Sequence, residues 1–447
     1  MNSILTLFTL LIQWMKEFTF HEMTHTENKV KCKQCVYVYK WGVKFMLNDK
    51  QMKIVKTNEK AIFVVSGAGT GKTTVIYNRI LYLLSKKVDP KSILAISFTR
   101  RTVNDLKNRF LTVADNLVIK TFHGLAFSHV GCENSKVLMD PSCDLFDQFD
   151  IKTINEITTK KGVLIFKNTV TKPLSVYNTI LTKNGLYDYA DLEIMFFHYL
   201  KELGDNISSI LPYSYIFIDE SQDLSFIQVE ILKCMIKPTT FVCFVGDPDQ
   251  SIYSFRGSTQ NMVSQLIRTF SCSVYTLDDT YRCVKSIVDA ANNLIKHNHG
   301  RIPKVLKAHR NEVGIIEYHQ FSNTKKEAHF IFSKIRDFLT KKYLKKDIIL
   351  LVRNHFQCNE IKRLLQSSYY EGVDCLSIHQ SKGLEYPIVF IIGIENKKFK
   401  NRKEMEEERR LFFVGMTRAK DILIMTSPEV HKTPKFIRET KVVVTKH

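Results

Sequence analysis

Short runs of apolar residues recur along the chain, and each is followed by a longer stretch with helical spacing. The first series of runs reads AIFVV, SILAISF, LVIKTF, YIFIDE and FVCFVGD. Runs that are apolar at successive positions are typical of parallel strands covered on both faces by crossover helices. The pattern therefore predicts an α/β protein that is built on parallel sheets.

A second series of runs follows the first and reads SVYTL, GIIEYH, DIILLVR, DCLSIH, IVFIIGI and DILIMT. Since 447 residues are too many for one ordinary core, we expect two α/β domains. A long stretch with helical spacing separates LVIKTF from YIFIDE and predicts a helical insertion in the first domain. The expected order is an N-terminal extension at 1–44, the first domain at 45–122 and 211–270 around the insertion at 123–210, and the second domain at 271–447.

The sequence SGAGTGKTT lies between the first apolar run and a predicted helix. Backbone N–H groups of such a loop, together with the N-terminus of the helix, can point at the phosphates of a nucleotide. Lys72 is placed to reach the β- and γ-phosphates, and the hydroxyl of Thr73 is placed to bind Mg²⁺. Ser66 stands where the strict phosphate-binding pattern has glycine, so the loop is a variant. We predict an ATP-binding loop formed by Ser66, Gly67, Ala68, Gly69, Thr70, Gly71, Lys72, Thr73 and Thr74.

Two carboxylates, Asp219 and Glu220, follow the buried run YIFI. Charged groups at the tip of a buried strand are costly unless a cation is nearby. Asp219 suits Mg²⁺, and Glu220 suits the orientation and deprotonation of an attacking water. An apolar run followed by Asp-Glu is a weak signal alone. Together with the lysine loop it predicts hydrolysis of the nucleotide rather than binding alone.

The chain is strongly basic, with 65 Lys and Arg against 45 Asp and Glu and a formal net charge of +20. A surplus of this size favours a polyanionic partner such as nucleic acid. A generally basic surface without a specific partner is the alternative that charge alone leaves open.

The ten cysteines stand mostly singly inside apolar runs, which is typical of reduced thiols in a cytosolic or nuclear protein. No apolar run approaches the roughly 20 residues that cross a bilayer. The leader MNSILTLFTLLIQWMKEF has an apolar core but no basic start and no small-residue cleavage site, so we interpret it as an additional helix. We therefore expect a soluble intracellular protein, whose lysine- and asparagine-rich composition is compatible with the AT-rich genome of a large virus.

HEMTH near the N-terminus matches the zinc-protease pattern H-E-x-x-H, and CKQC follows it closely. On a helix, His21 and His25 would share one face and bind zinc, with Glu22 as the base. A structural zinc site that adds Cys32 and Cys35 is a second alternative. Because five-residue patterns arise readily by chance and no third catalytic ligand is evident, coincidence is the interpretation that we favour.

The blocks LNDKQ, SGAGTGKTT, ISFTRR, TFHGLA, IDESQD, VGDPDQSIYSFRGS, TYR, HQSKGLEY and EERRLFFVGMTRAK occur in this order between residues 45 and 425. In content and order they resemble the UvrD/Rep-like helicases of superfamily 1. Two of the blocks are also similar to the F-box helicase branch, although no F-box is apparent. The resemblance implies two RecA-like P-loop domains, with a helical insertion in the first.

The resemblance also implies contacts to the base and sugar of ATP. Gln51 would read the adenine edge, Tyr281 would stack on the base, and Glu385 would lie near the ribose. Each of these roles belongs to a matching position in a family block, and the spacing of the residues alone does not assign it.

Three further positions are implied to act on the γ-phosphate. Gln250 and Arg282 would sense it from opposite sides of a cleft, and Arg418 would be an arginine finger supplied by the second domain. Phosphoryl transfer needs such cations, because its catalysis is mostly electrostatic stabilisation.

Movement along a single strand requires cations for phosphates and flat side chains for bases. SIYSFRG places such side chains just beyond Gln250. For Phe98 alone, a position in the core is an equally good interpretation. The resemblance assigns to the single-stranded DNA groove Phe98, Thr99, Thr121, His123, Tyr253, Phe255, Arg256, His379 and Lys382.

The implied function is ATP-dependent 3′-to-5′ translocation on DNA and unwinding of it, in replication, repair or recombination. ATP and Mg²⁺ are the expected cofactors, and single-stranded DNA or a junction with duplex is the expected partner. Members such as Rep carry a large second insertion between LLVR and HQSKGLE, which here is replaced by a short segment. The second insertion domain is therefore expected to be absent, and the alternative function is a translocase that displaces proteins without robust unwinding. RNA is the less favoured substrate, because DESQD and GDPDQSIY resemble the DNA-acting branch.

Overall fold

The computed structural model describes residues 47–111, 116–131, 136–137, 144–146, 149–252, 262–341, 343–354, 361, 365, 370–429 and 432–447. Outside these ranges lie the expected extension 1–44, the candidate zinc residues His21, Glu22, His25, Cys32 and Cys35, and the expected DNA contacts Tyr253, Phe255 and Arg256. Within the described ranges, no helix is long and apolar enough to cross a membrane. The cysteines in those ranges, Cys234, Cys243, Cys272, Cys283 and Cys375, are free thiols.

The strands are β1 Ala61–Ser66, β2 Ile93–Ser97, β3 Val118–Thr121, β4 Lys136–Val137, β5 Leu186–Tyr187, β6 Tyr215–Ile218, β7 Phe241–Gly246, β8 Ser273–Leu277, β9 Asp279–Thr280, β10 Lys307–Ala308, β11 Ile315–Gln320, β12 Ile348–Val352, β13 Asp374–Ser377, β14 Tyr386–Ile391, β15 Ala419–Ser427 and β16 Val444–Lys446. The helices are α1 Asp49–Lys56, α2 Lys72–Ser85, α3 Arg100–Phe110, α4 Phe122–Val130, α5 Ile151–Phe166, α6 Lys172–Lys183, α7 Tyr189–Leu203, α8 Ile207–Ile210, α9 Phe226–Met235, α10 Met262–Thr269, α11 Lys285–Ile295, α12 Thr324–Thr340, α13 Arg402–Met416 and α14 Lys435–Thr440.

The first sheet has six strands in the order β3-β2-β6-β7-β1-β8. Every pairing within it is parallel. Strands β2 and β7 are buried at every position, as expected for strands covered on both faces by helices. The first five predicted strands are therefore confirmed.

The run SVYTL was expected to open the second domain, but as β8 it forms the edge of the first sheet. Ile62 pairs with Ser273 and Ser66 pairs with Leu277. The crossover through α10 returns the chain beside β1, which is the usual outcome for a parallel β–α–β connection. The first sheet therefore extends to residue 277, beyond the boundary at 270 that the sequence suggested.

The second sheet also has six strands, in the order β13-β12-β14-β15-β11-β16. All of its pairings are parallel. The remaining predicted runs, from GIIEYH to DILIMT, supply five of these strands, so the expectation of two parallel α/β sheets is confirmed. Separate hydrophobic clusters pack with α11 and α13 and with α12.

Helices α4 to α8 lie between β3 and β6, where the sequence predicted a helical insertion. The stretch YADLEIMFFHYLKEL forms α7, which begins with a capping box between Asp188 and Asp191. Lys161 of α5 is completely buried, with its ammonium 3.1 Å from Asp188 and 2.7 Å from Asp191. These ion pairs connect α5 to the start of α7.

The order of the first sheet places β6, β7 and β1 side by side. Because the strands are parallel, the loops that follow them meet at one edge of the sheet. In open α/β sheets, ligands bind in the crevice outside the carboxyl ends of the strands. The phosphate-binding loop after β1 and the two carboxylates after β6 are therefore neighbours at this edge.

Candidate active site

The loop between β1 and α2 depends on glycine at two positions. Gly69 and Gly71 have φ angles of 71° and 88°, a left-handed conformation that favours glycine. A Cβ atom on Gly71 would lie 2.7 Å from Nε2 of Gln51. The helix cap at Gly71 has no side-chain hydrogen bond, so N–H groups at the start of α2 remain available to a ligand.

Gln51 and Tyr281 flank this loop from two sides. Nε2 of Gln51 donates to the carbonyl of Thr70 over 3.1 Å, and the N–H of Tyr281 donates to the carbonyl of Gly69 over 3.0 Å. The ring of Tyr281 is 39% exposed and lies 4.6 Å from the ring of His309. His309 carries no signal in the sequence and was not predicted. Tyr281 is therefore a partly exposed aromatic residue beside the loop.

The carboxylates of Asp219 and Glu220 lie directly after β6, as the sequence predicted. Nζ of Lys72 is 3.1 Å from Oε1 of Glu220. Glu220 has a φ of 51°, which is uncommon for a residue other than glycine and is often found at functional sites. The lysine of the loop and the carboxylate of the strand therefore share one small site.

The two carboxyl groups differ in their affinity for a proton. Burial, together with the charge of Glu220, raises the pKa of Asp219 to about 7. Burial also disfavours the charged form of Glu220, but Lys72 and Lys382 outweigh that effect and lower its pKa to about 2. Glu220 is thus the ionised member of the pair, and the negative charge of Asp219 is poorly compensated.

Arg418, just before β15 of the second sheet, and Arg282, between β9 and α11, contribute cations to the same cleft. Nη2 of Arg418 donates to Oε1 of Gln250 over 3.1 Å. Nε of Arg282 donates to Glu385 over 2.7 Å, and its Nη1 donates to the carbonyl of Thr417 over 3.1 Å. Burial, followed by the nearby charge of Arg282, lowers the pKa of Arg418 to about 9.

The two sheets meet the cleft with opposite edges. The residues from the first sheet follow its strands, whereas Glu385 and Arg418 immediately precede β14 and β15. The cleft is therefore formed by the carboxyl edge of one sheet and the amino edge of the other. Four of the predicted nucleotide contacts, Gln250, Arg282, Glu385 and Arg418, are brought together there.

Lys382, in the loop before β14, contacts residues that follow strands of the first sheet. Its ammonium donates to Asp223 and, over 3.1 Å, to the carbonyl of Gln250, and it lies 3.9 Å from Glu220. Its side chain is 6% exposed. The loop before β14 thus brings Lys382 against residues that follow β6 and β7, and its expected contact with DNA stays a prediction.

The other expected DNA contacts that the structure describes lie on the first sheet and after β13. Thr99 and Thr121 cap α3 and α4, and accept hydrogen bonds from backbone N–H groups. Nε2 of His123 lies 2.9 Å from Glu193. Phe98 and His379 are half-buried, so Phe98 is only partly enclosed by the core. A DNA role for these residues stays a prediction.

A cavity of about 280 Å³ lies at the carboxyl edge of the second sheet. Aromatic side chains and cations share its lining. Among the lining residues are Arg353, Lys397, Phe399, Phe412, Lys435 and Phe436. None of them was singled out from the sequence, because they come from separate segments that only the fold brings together.

The residues of the cleft fit a nucleotide with Mg²⁺. Thr73 lies in the first turn of α2 and Asp219 at the end of β6, and oxygen donors of this kind suit Mg²⁺. The raised pKa of Asp219 shows that its charge is poorly compensated, and a bound cation would relieve this. A Cβ atom on Gly69 would lie 2.4 Å from Cβ of Arg282, so glycine at this position lets Arg282 pack closely against the loop.

Comparison with known proteins agrees with this geometry. The family model for the UvrD/REP helicase N-terminal domain matches residues 47–176 and 152–271. The model for the UvrD-like helicase C-terminal domain matches residues 275–371 and 363–429. Together the two matches extend over both sheets and the cleft between them.

Individual relatives match most of this chain, but the match covers a smaller share of each relative. A "Probable DNA helicase II homolog" of Mycoplasma capricolum is 28% identical over 422 residues, which is 85% of this chain and 56% of the relative. The "ATP-dependent DNA helicase PcrA" of Bacillus subtilis is 29% identical over 406 residues, 81% of this chain and 52% of the relative. The chain thus spans about half the length of the curated relatives it matches. On the two matching domain models, the chain belongs to the UvrD/REP helicase family.

Proposed function

We propose that this chain is an ATP-dependent motor that moves 3′ to 5′ along single-stranded DNA and acts as a DNA helicase in replication, repair or recombination. The observation that carries the proposal is the hydrogen bond from Arg418 to Gln250, which joins the two sheets beside Lys72 and Glu220. A nucleotide in this cleft would contact both halves of the protein. Its hydrolysis would therefore change how firmly the halves are held together.

The cleft supplies the groups that hydrolysis needs. Glu220 is ionised at neutral pH, because its pKa is about 2, and its carboxylate can accept a hydrogen bond from an attacking water and orient it. Lys72 at the start of α2 can pair with phosphate oxygens. Thr73 and Asp219 would hold Mg²⁺, which supplies neutralisation of phosphate charge.

Two guanidinium groups can stabilise the charge that develops during phosphoryl transfer. Arg418 is almost fully buried, and the nearby Arg282 contributes to its lowered pKa. A γ-phosphate between them would remove this repulsion, so binding of ATP would draw the second sheet towards the first. Loss of that phosphate would release it, and alternating closure of this kind can drive stepping along a strand.

DNA as the track is supported by charge and by the names of the relatives. The net charge of +20 favours a polyanion. The relatives from Mycoplasma capricolum and Bacillus subtilis are both named as DNA helicases.

The test is the rate of ATP hydrolysis with and without single-stranded DNA. We expect DNA to stimulate hydrolysis, and RNA of the same sequence to stimulate it less. Lys72→Ala should abolish hydrolysis in both conditions, which excludes a contaminating ATPase. Hydrolysis by the wild type that does not respond to DNA would contradict the proposed function.

A second candidate is a translocase that displaces proteins from single strands without robust unwinding. It is favoured by the short segment of 21 residues between β12 and β13, at 353–373, where related helicases are expected to carry a second insertion domain. Assays of strand separation and of protein displacement on the same DNA would distinguish the two. Displacement without separation would favour the second candidate.

A further inference from the structure

A buried ion cluster lies behind the phosphate-binding loop, and none of the functions proposed above uses it. Lys304, in the segment between α11 and β10, has a side chain that is 1% exposed. Its ammonium donates to the carbonyl of Ser66 over 2.9 Å and to a carboxylate oxygen of Asp247. It also lies 3.2 Å from Asp249. Lys304 therefore contacts both the last residue of β1 and the loop that follows β7.

Asp247 connects this lysine to the residues of the cleft. Its Oδ1 accepts from Lys304, whereas its Oδ2 accepts from Nε2 of Gln250 over 2.5 Å. With its amide nitrogen held there, Gln250 presents Oε1 to Arg418. An amide can rotate to exchange its two ends, so the orientation of Gln250 depends on a carboxylate that is itself fixed.

A second connection runs from Asp247 to the catalytic carboxylate. The N–H of Asp247 donates to Oε1 of Gln222 over 2.9 Å. Nε2 of Gln222 in turn donates to Oε2 of Glu220 over 2.6 Å. The position of Asp247 therefore influences both the sensor Gln250 and the base Glu220.

The charge of Lys304 is needed to hold Asp247 in place. Asp247 is completely buried, and a buried carboxylate without a cation is strongly disfavoured. Burial alone would lower the pKa of Lys304, but Asp247 and Asp249 outweigh it and raise the pKa, so the lysine is charged. Arg301 neutralises Asp249 through two bonds of 2.7 Å, which leaves Lys304 as the cation that Asp247 contacts.

We propose that Lys304 is a positioning residue for ATP hydrolysis, which fixes Asp247 and through it the orientation of Gln250 towards Arg418. This role rests on the proposed ATPase function and adds a residue to its machinery. Lys304 does not touch the nucleotide site itself. Its removal should slow the hydrolytic step while leaving nucleotide binding largely intact.

The test compares Lys304→Met with Lys161→Met in the full chain. Both substitutions remove a buried ammonium that contacts two carboxylates, so both should lower the melting temperature. Only Lys304→Met should lower kcat, by about 10- to 100-fold, as is typical when a partner that orients an active-site group is lost. The KM for ATP should change by less than about threefold, since it reports uniform binding.

A double-mutant cycle with Gln250→Ala separates positioning from a general structural effect. If Lys304 acts through Gln250 and not through Gln222 and Glu220, then adding Lys304→Met to Gln250→Ala should lower kcat by no more than about twofold further. Multiplicative effects of the two substitutions would overturn the proposal, as would an unchanged kcat in Lys304→Met. If Lys304→Met does not fold, Asp247→Asn replaces it in the same cycle, because Lys304 keeps its contacts with Asp249 and with the carbonyl of Ser66 in that variant.

Failure of this inference is distinguishable from failure of the proposed function. A wild-type chain without ATPase activity would refute the ATPase itself. An active wild type whose rate is equally sensitive to Lys304→Met and to Lys161→Met would refute only the positioning role.

Discussion

The two sheets have the same topology, but they differ at their carboxyl edges, where the helix after the first strand is uncapped in one sheet and capped in the other. In each sheet, the first strand in chain order lies between the fifth and the sixth, and the third lies at the far edge. Strand β1 and strand β11 are therefore equivalent, and each is followed by a helix. After β1 the chain forms a glycine loop whose helix cap makes no side-chain hydrogen bond. After β11, the side chain of Asn323 caps α12 by accepting from the N–H of Lys326 over 2.9 Å.

The side chain of Glu327 also satisfies polar groups at the carboxyl edge of the second sheet. Glu327, in the first turns of α12, accepts hydrogen bonds from the N–H of Gly393 after β14 and from the hydroxyl of Thr426 at the end of β15. In the first sheet, the equivalent edge has Lys72 and uncapped helix N–H groups facing a cleft. A shared fold thus holds a nucleotide site in one half, while the other half satisfies its own polar groups and offers its opposite edge to the cleft.

Among the substitutions that compare the two sheet edges, the largest effect is expected from adding a side chain to the glycine loop after β1. Gly71→Ala introduces a Cβ 2.7 Å from Nε2 of Gln51 at a φ of 88°. A left-handed conformation costs an L-residue about 1–2 kcal/mol. Relief of this strain would move the loop out of its observed conformation, so the affinity for ATP should fall by about 5- to 30-fold. Nucleotide binding can be measured by fluorescence titration.

The matched control is Gly185→Ala in the turn before β5. Gly185 has a φ of 61°, but a Cβ there would meet no atom within 4 Å. This variant carries similar backbone strain away from the cleft and should bind ATP as the wild type does. If both variants lost affinity equally, general destabilisation would explain the result and the role of the loop would be in doubt.

A smaller effect is expected from removing the side chain that caps α12, the helix after β11. Asn323→Ala removes the cap of α12 and should reduce stability by about 1 kcal/mol, measured as a lower denaturant midpoint. Because this helix start faces no nucleotide in our account, the KM for ATP should not change. A marked change in KM would show that the second sheet also contacts the nucleotide through this edge.

The smallest effect is expected at Glu327. Burial raises the pKa of Glu327, so the folded chain retains a proton that the unfolded chain releases, and stability contributed by this group is lost as pH rises through the raised pKa. Oε1 accepts both hydrogen bonds, and Glu327→Gln can keep them without the charge. The variant should therefore be more stable than the wild type at pH 8, by less than about 1 kcal/mol, and lose this advantage as pH falls. An advantage that grew on acidification would contradict the sign of the shift.

The parts of the site that sequence could predict are those with a local signal. Buried strands, the glycines of the loop, and Asp219 with Glu220 are each written in a few successive residues. Strand β8 was assigned to the wrong sheet, because an edge strand has no pattern that reveals its neighbour. Lys304 and Lys382 acquire their partners only through contacts between distant segments, and an isolated lysine gives no sign of burial in a sequence.

For the expected DNA contacts, a different factor limits what the sequence could predict. Its candidates in the loop after Gln250 lie outside the described residues, so their role stays a prediction. The lining of the cavity at the carboxyl edge of the second sheet comes from the ends of β12, β13 and β14 and from α13 and α14. These segments are distant in the sequence and come together only in the fold, so no single motif predicts the cavity.

We expect ATP hydrolysis to need both sheets in one cleft, and Arg418→Ala removes the guanidinium that the second sheet supplies. Single-turnover hydrolysis should fall about a thousandfold, as for loss of an arginine finger, while the Kd for ATP changes little. Arg409→Ala is the control, since Arg409 is also buried but bonds to Glu439 within the second half of the chain. An Arg418→Ala variant that hydrolyses ATP at the rate of this control would contradict the account.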